Sequence, residues 1–345
     1  MTTDVIIRSE GAVGRLSLNR PAALNALTGD MVVAMRQALL SWRDDSNVRA
    51  VVIDHLEGRG FCAGGDIRAL AERGSAFARP FFSSEYQLNN LLFLYAKPVI
   101  AVLDGIVMGG GAGIGLPVPI RIGTERTVFA MPETGIGLIP DVGGGWHLPR
   151  LPGKAGIWLA LTGARLRVAD CLSLGIVTHV VESRRLPEIK AALVDSPEDA
   201  ERILGLESLD PGVPTLDRAR IDALFDYDSV EAILSTIDRE GSDWARTQAA
   251  ILRTRAPLSM KATLRHLCEG GAASSFAQVL AMEYRLCTRL VDTHDFKEGV
   301  RAVVVDRDNA PAWAPATLKG VDQETLDALF APYPIGEEWR PLDAR

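Results

Sequence analysis

The chain has little with which to build a metal centre, a disulfide scaffold or a membrane span. Its four cysteines, Cys62, Cys171, Cys268 and Cys287, show no CxxC spacing. Neither a metal knot nor a disulfide framework is therefore expected, and small buried hydrophobes are their simplest role. The five histidines, His55, His147, His179, His266 and His294, are scattered with no pair at ligand spacing, so no metal is expected. No apolar run reaches membrane-spanning length. Nucleic acids and anionic membranes attract basic surfaces, and a formal net charge of -7 argues against both as partners. There is no GxSxG elbow for a serine hydrolase and no GxxxxGK[ST] phosphate loop. The glycines at 109, 110, 111, 113 and 115 never fall in the register of a dinucleotide-binding fingerprint. The start, Met1 to Asp4, has neither secretory nor transit character, and a cytoplasmic protein is the expectation.

What remains is an ordinary globular composition, 47% hydrophobic and 23% charged over 345 residues, ample for a large core. Val5–Ser9 and Ala12–Asn19 read as β-branched strands joined at Glu10-Gly11. Thr28 reads as an N-cap before a helix whose apolar positions are Met31, Met35, Ala38, Leu39 and Trp42. Ala50–Ile53 and Pro98–Leu103 suit buried strands, Gln87–Tyr95 suits a helix, and Ile120–Ile122 and Thr127–Ala130 suit further strands. This alternation is an α/β layout around a largely buried sheet. Residues 196–228 turn acidic and proline-containing with weak periodicity, which reads as an insertion or connection. Ala256–Leu290 has long helical periodicity, and Ala302–Arg345, which contains Pro311, Pro315, Pro332 and Pro334, reads as a surface wrap. The expected divisions are 1–195 for the core and active site, 196–250 for the acidic connection, and 251–345 for the C-terminal helices and tail.

The run Met131-Pro132-Glu133-Thr134-Gly135-Ile136-Gly137-Leu138-Ile139-Pro140-Asp141-Val142-Gly143-Gly144-Gly145 sets two carboxylates in a loop lined by apolar residues. Apolar surroundings raise the cost of keeping a carboxylate charged, and such acids suit acid–base or nucleophilic work. A solvated loop with two unrelated acids is the simpler alternative. Two glycine crowdings, Gly64-Gly65-Asp66 and Gly109–Gly115, follow apolar strands. Backbone N–H groups from both, if they converge, make an oxyanion hole, although for each run alone a tight turn is the simpler reading. His147 fits packing or capping, and the dense His294–Arg301 segment fits an ion-paired corner or an interface.

These pieces occur in one order that resembles the crotonase (enoyl-CoA hydratase/isomerase) superfamily. The matching stretches are Asn19–Leu27, Phe61–Ile67, Lys97–Ala101, Met108–Gly111 and the Met131–Gly145 loop. The resemblance implies a crotonase-like ββα spiral core with a C-terminal helical trimerisation region, assembled as a homotrimer or hexamer. It also implies an acyl-CoA substrate, with no cofactor beyond the coenzyme A that the substrate itself carries. The thioester oxygen would sit on the backbone N–H groups of Gly65 and Gly110.

Hydratases of this superfamily use two glutamates, and the position of the first is Gly113 here. Glu133 matches the second, and Asp141 stands where hydratases usually carry glycine. With Ser84–Asn90, Met282–Leu286 and His294–Arg301, this looks like the 3-hydroxyisobutyryl-CoA hydrolase branch, which implies a place in valine breakdown. Carried over residue by residue, Glu133 and Asp141 are the catalytic pair and Glu85 is a substrate-contacting carboxylate. Where many hydratases carry a basic tail residue near the coenzyme A phosphates, this chain has Asp306. The rivals are an enoyl-CoA hydratase or isomerase, and a non-catalytic acyl-CoA-binding scaffold.

Overall fold

The computed structural model describes residues 2–342. Ten strands form two sheets. In the larger sheet the order is β1 (Val5–Glu10), β2 (Val13–Leu18), β3 (Ala50–His55), β5 (Val99–Leu103), β7 (Ile120–Thr124) and β10 (His179–Val181). The β1–β2 hairpin expected from the sequence is antiparallel, and every later pairing in that sheet is parallel. The smaller sheet orders β4 (Gly60–Cys62), β6 (Ile106–Met108), β8 (Val128–Ala130) and β9 (Leu166–Arg167). Each of β3, β5 and β7 thus passes directly into β4, β6 or β8 of the other sheet before the chain turns away. That repeat is the ββα spiral, and it stacks the three departure points (after β4, β6 and β8) side by side.

Parallel strands covered on both faces need apolar residues on both faces. Strand β3 is buried throughout. Its Val51 and Ile53 face the main core with Met35 and Leu39, while Ala50 and Val52 face a second core with Ile189, Leu193 and Leu204. The helix Gly29–Arg43 starts as the sequence indicates, with Thr28 accepting a hydrogen bond from the Met31 N–H at 3.3 Å.

Three segments differ from the sequence reading. The helix expected over 87–95 runs from Ser75 to Phe93. The missed part holds Pro80 within the helix, and Glu85 sits on its buried face among Phe81, Phe82, Tyr86 and Leu88, so the stretch before Gln87 lacks a clean helical pattern. Residues 196–228 contain two helices, Ala200–Leu206 and Arg218–Phe225. Thr215 and Leu216, just before the second of these, donate backbone N–H bonds to buried Asp170. The periodic stretch 256–290 is two helices, Pro257–Ala272 and Phe276–Leu290, separated where Ala273 turns extended and Ser275 caps the second. The tail crosses the surface of the Ser75–Phe93 helix, where the Trp339 indole donates to the Ser83 carbonyl at 3.1 Å.

Candidate active site

The ends of β4, β6 and β8 open on one cleft of ≈ 680 Å³. Gly65, Gly110, Glu85, Glu133 and Asp141 all line it, so the spiral gathers every sequence-derived candidate in one place. Strand β4 leads to Gly65. Leu27 donates to the Gly64 carbonyl at 2.8 Å and accepts from the Asp66 N–H at 3.1 Å. This parallel bridge turns the Gly65 N–H itself away from Leu27. Strand β6 leads to Gly110, the first residue of a short helix, preceded by Gly109 at φ +48°. Neither the Gly65 nor the Gly110 N–H meets an acceptor among the described residues. The two turns touch, since a Cβ built on Gly64 would lie 3.8 Å from the Gly110 nitrogen. A Cβ on Gly110 would lie 2.7 Å from Glu85 Oε1. Both glycines line the same cleft, and two free donors converging on one point are what a developing oxyanion requires.

Strand β8 leads into the carboxylate loop. Glu133 begins a single 3-10 turn ending at Ile136. The turn is tied down by the Ala256 N–H donating to the Thr134 carbonyl at 3.0 Å. It is backed by the His294–Val300 helix, where a Cβ on Gly299 would come within 2.5 Å of the Ile136 backbone. That close backing is the structural role of the His294–Arg301 segment, whose Arg301 also pairs with Glu298. Asp306, at the position the resemblance associates with a basic residue, is occupied by Arg301 at 2.7 Å.

The three acids are almost sealed from bulk water, Glu85 at 2% exposure and Glu133 and Asp141 at 5%. Glu85 Oε1 and Glu133 Oε2 have no hydrogen-bond partner. Burial, and then the charge of Asp141, push Glu85 and Glu133 well above the usual carboxylate range. Burial and the charge of Glu283 lift Asp141 to about 7, against the lowering effect of a hydrogen bond from the Tyr86 hydroxyl. A carboxyl group poised near neutrality, as Asp141 is, can both take up and release protons at working pH. The solvated loop with two unrelated acids is thereby set aside.

Gly113 does not line the cleft. A Cβ there would sit 2.6 Å from Val142 Cβ and 2.9 Å from Asn89 Nδ2, whose amide donates to the Gly113 carbonyl at 2.8 Å. The space beyond position 113 is thus taken by Val142, the neighbour of Asp141.

Three supporting residues were not singled out from the sequence. Tyr86 donates to Asp141 Oδ2 at 2.7 Å. Asn89 plugs the space beside Gly113. Glu283 binds the N–H groups of Gly143 and Gly145. Glu283 had a readable signal, an acid at helical spacing within the buried stripe Val279, Leu286, Cys287 and Leu290. His147 is half-buried and packs against the stacked pair Phe93 and Phe276, and loss of solvation lowers its pKa to about 3. Among the described residues no three His, Cys, Asp or Glu side chains are grouped to hold a metal ion. No helix among them is long and apolar enough to cross a membrane.

Comparison with known proteins agrees with this geometry. The family model described as "Enoyl-CoA hydratase/isomerase" matches residues 13–330. The chain is 43% identical over 343 residues to the mitochondrial 3-hydroxyisobutyryl-CoA hydrolase of Danio rerio, covering 95% of this chain and 90% of the relative. Among solved structures, it resembles a carnitinyl-CoA dehydratase from Mycobacterium thermoresistibile with a TM-score of 0.92 and 38% identity, covering 97% of this chain and 98% of the other. It also resembles an enoyl-CoA hydratase from Rhodobacter sphaeroides with a TM-score of 0.88 and 36% identity, covering 98% and 100%.

Proposed function

The chain belongs to the enoyl-CoA hydratase/isomerase family, and within that family we propose that it is a CoA-thioester hydrolase acting on 3-hydroxyisobutyryl-CoA. Water and the thioester give 3-hydroxyisobutyrate and free coenzyme A, a step that belongs to valine breakdown. Coenzyme A enters as part of the substrate, and the chemistry asks for no further cofactor.

The observation that carries the reading is the pairing of two facts about one loop. Glu133 and Asp141 both face the cleft, while Val142 of the same loop closes the space where a hydratase's other glutamate would project. Adding water across a double bond needs that second acid. Cleaving a thioester needs an oxyanion hole, an activated nucleophile and a proton for the departing thiolate.

The thioester carbonyl oxygen sits between the Gly65 and Gly110 N–H groups, which take up its charge as the carbonyl carbon becomes tetrahedral. Each such donor contributes roughly 3–4 kcal/mol to lowering the barrier. Glu133 either takes a proton from the attacking water or attacks the carbonyl itself, forming a mixed anhydride that water then opens. Asp141 orients the water or the substrate hydroxyl and delivers a proton to the coenzyme A sulfur as the C–S bond breaks. Glu85, beside Gly110, contacts the substrate. Single-turnover hydrolysis in heavy-oxygen water separates the two routes, because only the anhydride leaves label in Glu133.

The relatives' names divide between hydrolysis and hydration chemistry, and one paired assay separates them. Thiol release is followed from 3-hydroxyisobutyryl-CoA, and loss of the enoyl chromophore from crotonyl-CoA. Thiol release alone supports the hydrolase, chromophore loss supports the hydratase, and binding without either supports the scaffold. The assembly we propose is the homotrimer or hexamer of the crotonase pattern, which sedimentation tests. The compartment expected from the sequence is the cytoplasm, whereas the Danio rerio relative is named mitochondrial; cell fractionation decides between them.

A further inference from the structure

Behind the cleft, on the side away from the substrate space, lies a fourth buried acid. Glu283, in the Phe276–Leu290 helix, has no exposed surface. Its Oε2 accepts from the Gly143 N–H at 2.7 Å and its Oε1 from the Gly145 N–H at 3.0 Å. These are the residues immediately after the turn that carries Asp141. The turn is held in an unfavourable shape, with β-branched Val142 at φ +52° and Gly143 at +91°. A left-handed β-branched residue persists only where the surroundings enforce it. Both oxygens of one carboxylate, spent on two loop amides, provide that enforcement.

We propose that Glu283 is a positioning residue for the hydrolytic reaction: it clamps the 142–145 turn so that Val142 fills the space beside Gly113 and Asp141 faces the cleft. This rests on the hydrolase reading. The clamp also brings its charge close to Asp141. The titratable groups around Asp141 are Glu85 and Tyr86 from the Ser75–Phe93 helix, Glu133 from its own loop, and Glu283 and Cys287 from the Phe276–Leu290 helix. From the Pro257–Ala272 helix, His266 places Nε2 3.2 Å from Glu283 Oε1, close enough for an ion pair but not aligned as a hydrogen bond. Asp141 therefore receives its tether and part of its raised proton affinity from a residue that touches no substrate.

The test is Glu283→Gln, read by pH-dependent thiol release from 3-hydroxyisobutyryl-CoA and by amide hydrogen exchange across residues 141–147. Glutamine keeps one acceptor, loses the charge, and turns an NH2 group against a loop N–H. The expected kcat falls about 10–100-fold with KM within about threefold. The kinetic pKa near neutrality moves down by about 0.5–1, because a negative neighbour has gone, and loop exchange accelerates. Glu283→Asp, which keeps the charge, should return the kinetic pKa toward the wild-type value. A folded Glu283→Gln variant with wild-type kcat, or with lowered kcat but an unmoved kinetic pKa, would overturn the proposal. If Glu283→Gln does not fold, Glu283→Asp carries the test: unchanged kcat and unchanged loop exchange reject the clamp. Absence of thiol release by the wild-type protein would instead remove the hydrolase reading, and the exchange comparison would still judge the clamp.

Discussion

The Tyr86 hydroxyl donates a 2.7 Å hydrogen bond to Asp141 Oδ2, and both residues lie inside the protein. That bond favours the ionised form of Asp141, whereas Glu283 favours the protonated form. Burial is the main reason this carboxyl group holds its proton near neutrality, and the two neighbours then pull on it in opposite directions.

Tyr86→Phe removes the donor while keeping the ring. A hydrogen bond to a charged group is worth about 1.5–3 kcal/mol, so thiol release should fall about 10–100-fold. The kinetic pKa near neutrality should move up, opposite to the shift expected for Glu283→Gln. A pH–rate profile for each variant checks the pair of signs.

Asp141→Asn should abolish turnover and yet stabilise the fold above neutral pH. Asp141 has its ordinary value of 3.8 raised to about 7 in the folded protein. A raised pKa means that the folded state holds the proton more tightly. Its contribution to stability is complete below the unfolded value and is lost as pH climbs through the folded one. The loss from this group is on the order of 4 kcal/mol at most. Asparagine carries no such loss and still accepts from Tyr86. Thermal melts of wild type and variant should therefore diverge as pH rises, with the variant the more stable; parallel curves would contradict the raised value.

Gly113→Glu, which restores the hydratase residue in sequence, should not restore hydratase chemistry. The new Cβ would meet Val142 at 2.6 Å and Asn89 at 2.9 Å. Overpacking of that kind costs about 1–3 kcal/mol, and a buried unpaired carboxylate adds to it. The expected outcome is a lower melting temperature and no loss of the crotonyl-CoA chromophore.

Gly110→Ala tests the oxyanion hole by geometry. Its methyl group would enter at 2.7 Å from Glu85 Oε1 and 3.2 Å from a Leu27 methyl. Moving the Gly110 N–H off line removes one donor, and kcat should fall about 100–1,000-fold. A KM that stays within a few fold of wild type would show that the donor acts on the transition state.

The fold was legible from the sequence where local pattern and burial agree. The β1–β2 hairpin is marked by its β-branched runs and the Glu10-Gly11 turn, and the Thr28-capped helix has apolar periodicity that matches the face it buries. The pattern failed where function interrupts it. The stretch before Gln87 carries Pro80 inside the Ser75–Phe93 helix and Glu85 on its buried face, and both interrupt a helical reading of its first half. The cleft residues were named because glycine runs and loop acids are conspicuous. Tyr86 and Glu283 were passed over for a different reason. Each acts through a partner more than fifty residues away, Asp141 for Tyr86 and Gly143 for Glu283, and no spacing within a segment reports such a contact. The plug at Gly113 was half visible: the missing glutamate can be read, but the Val142 side chain that fills its place cannot.

The most direct measurement is free-thiol release from 3-hydroxyisobutyryl-CoA by the wild-type protein, run beside Glu133→Gln and Asp141→Asn under saturating substrate, with binding of the ester followed separately. The account predicts steady release by wild type, loss of at least about 1,000-fold in each variant, and ester binding largely preserved in both. Release by Glu133→Gln at the wild-type rate, or none from the wild-type protein that nonetheless binds the ester, would contradict it.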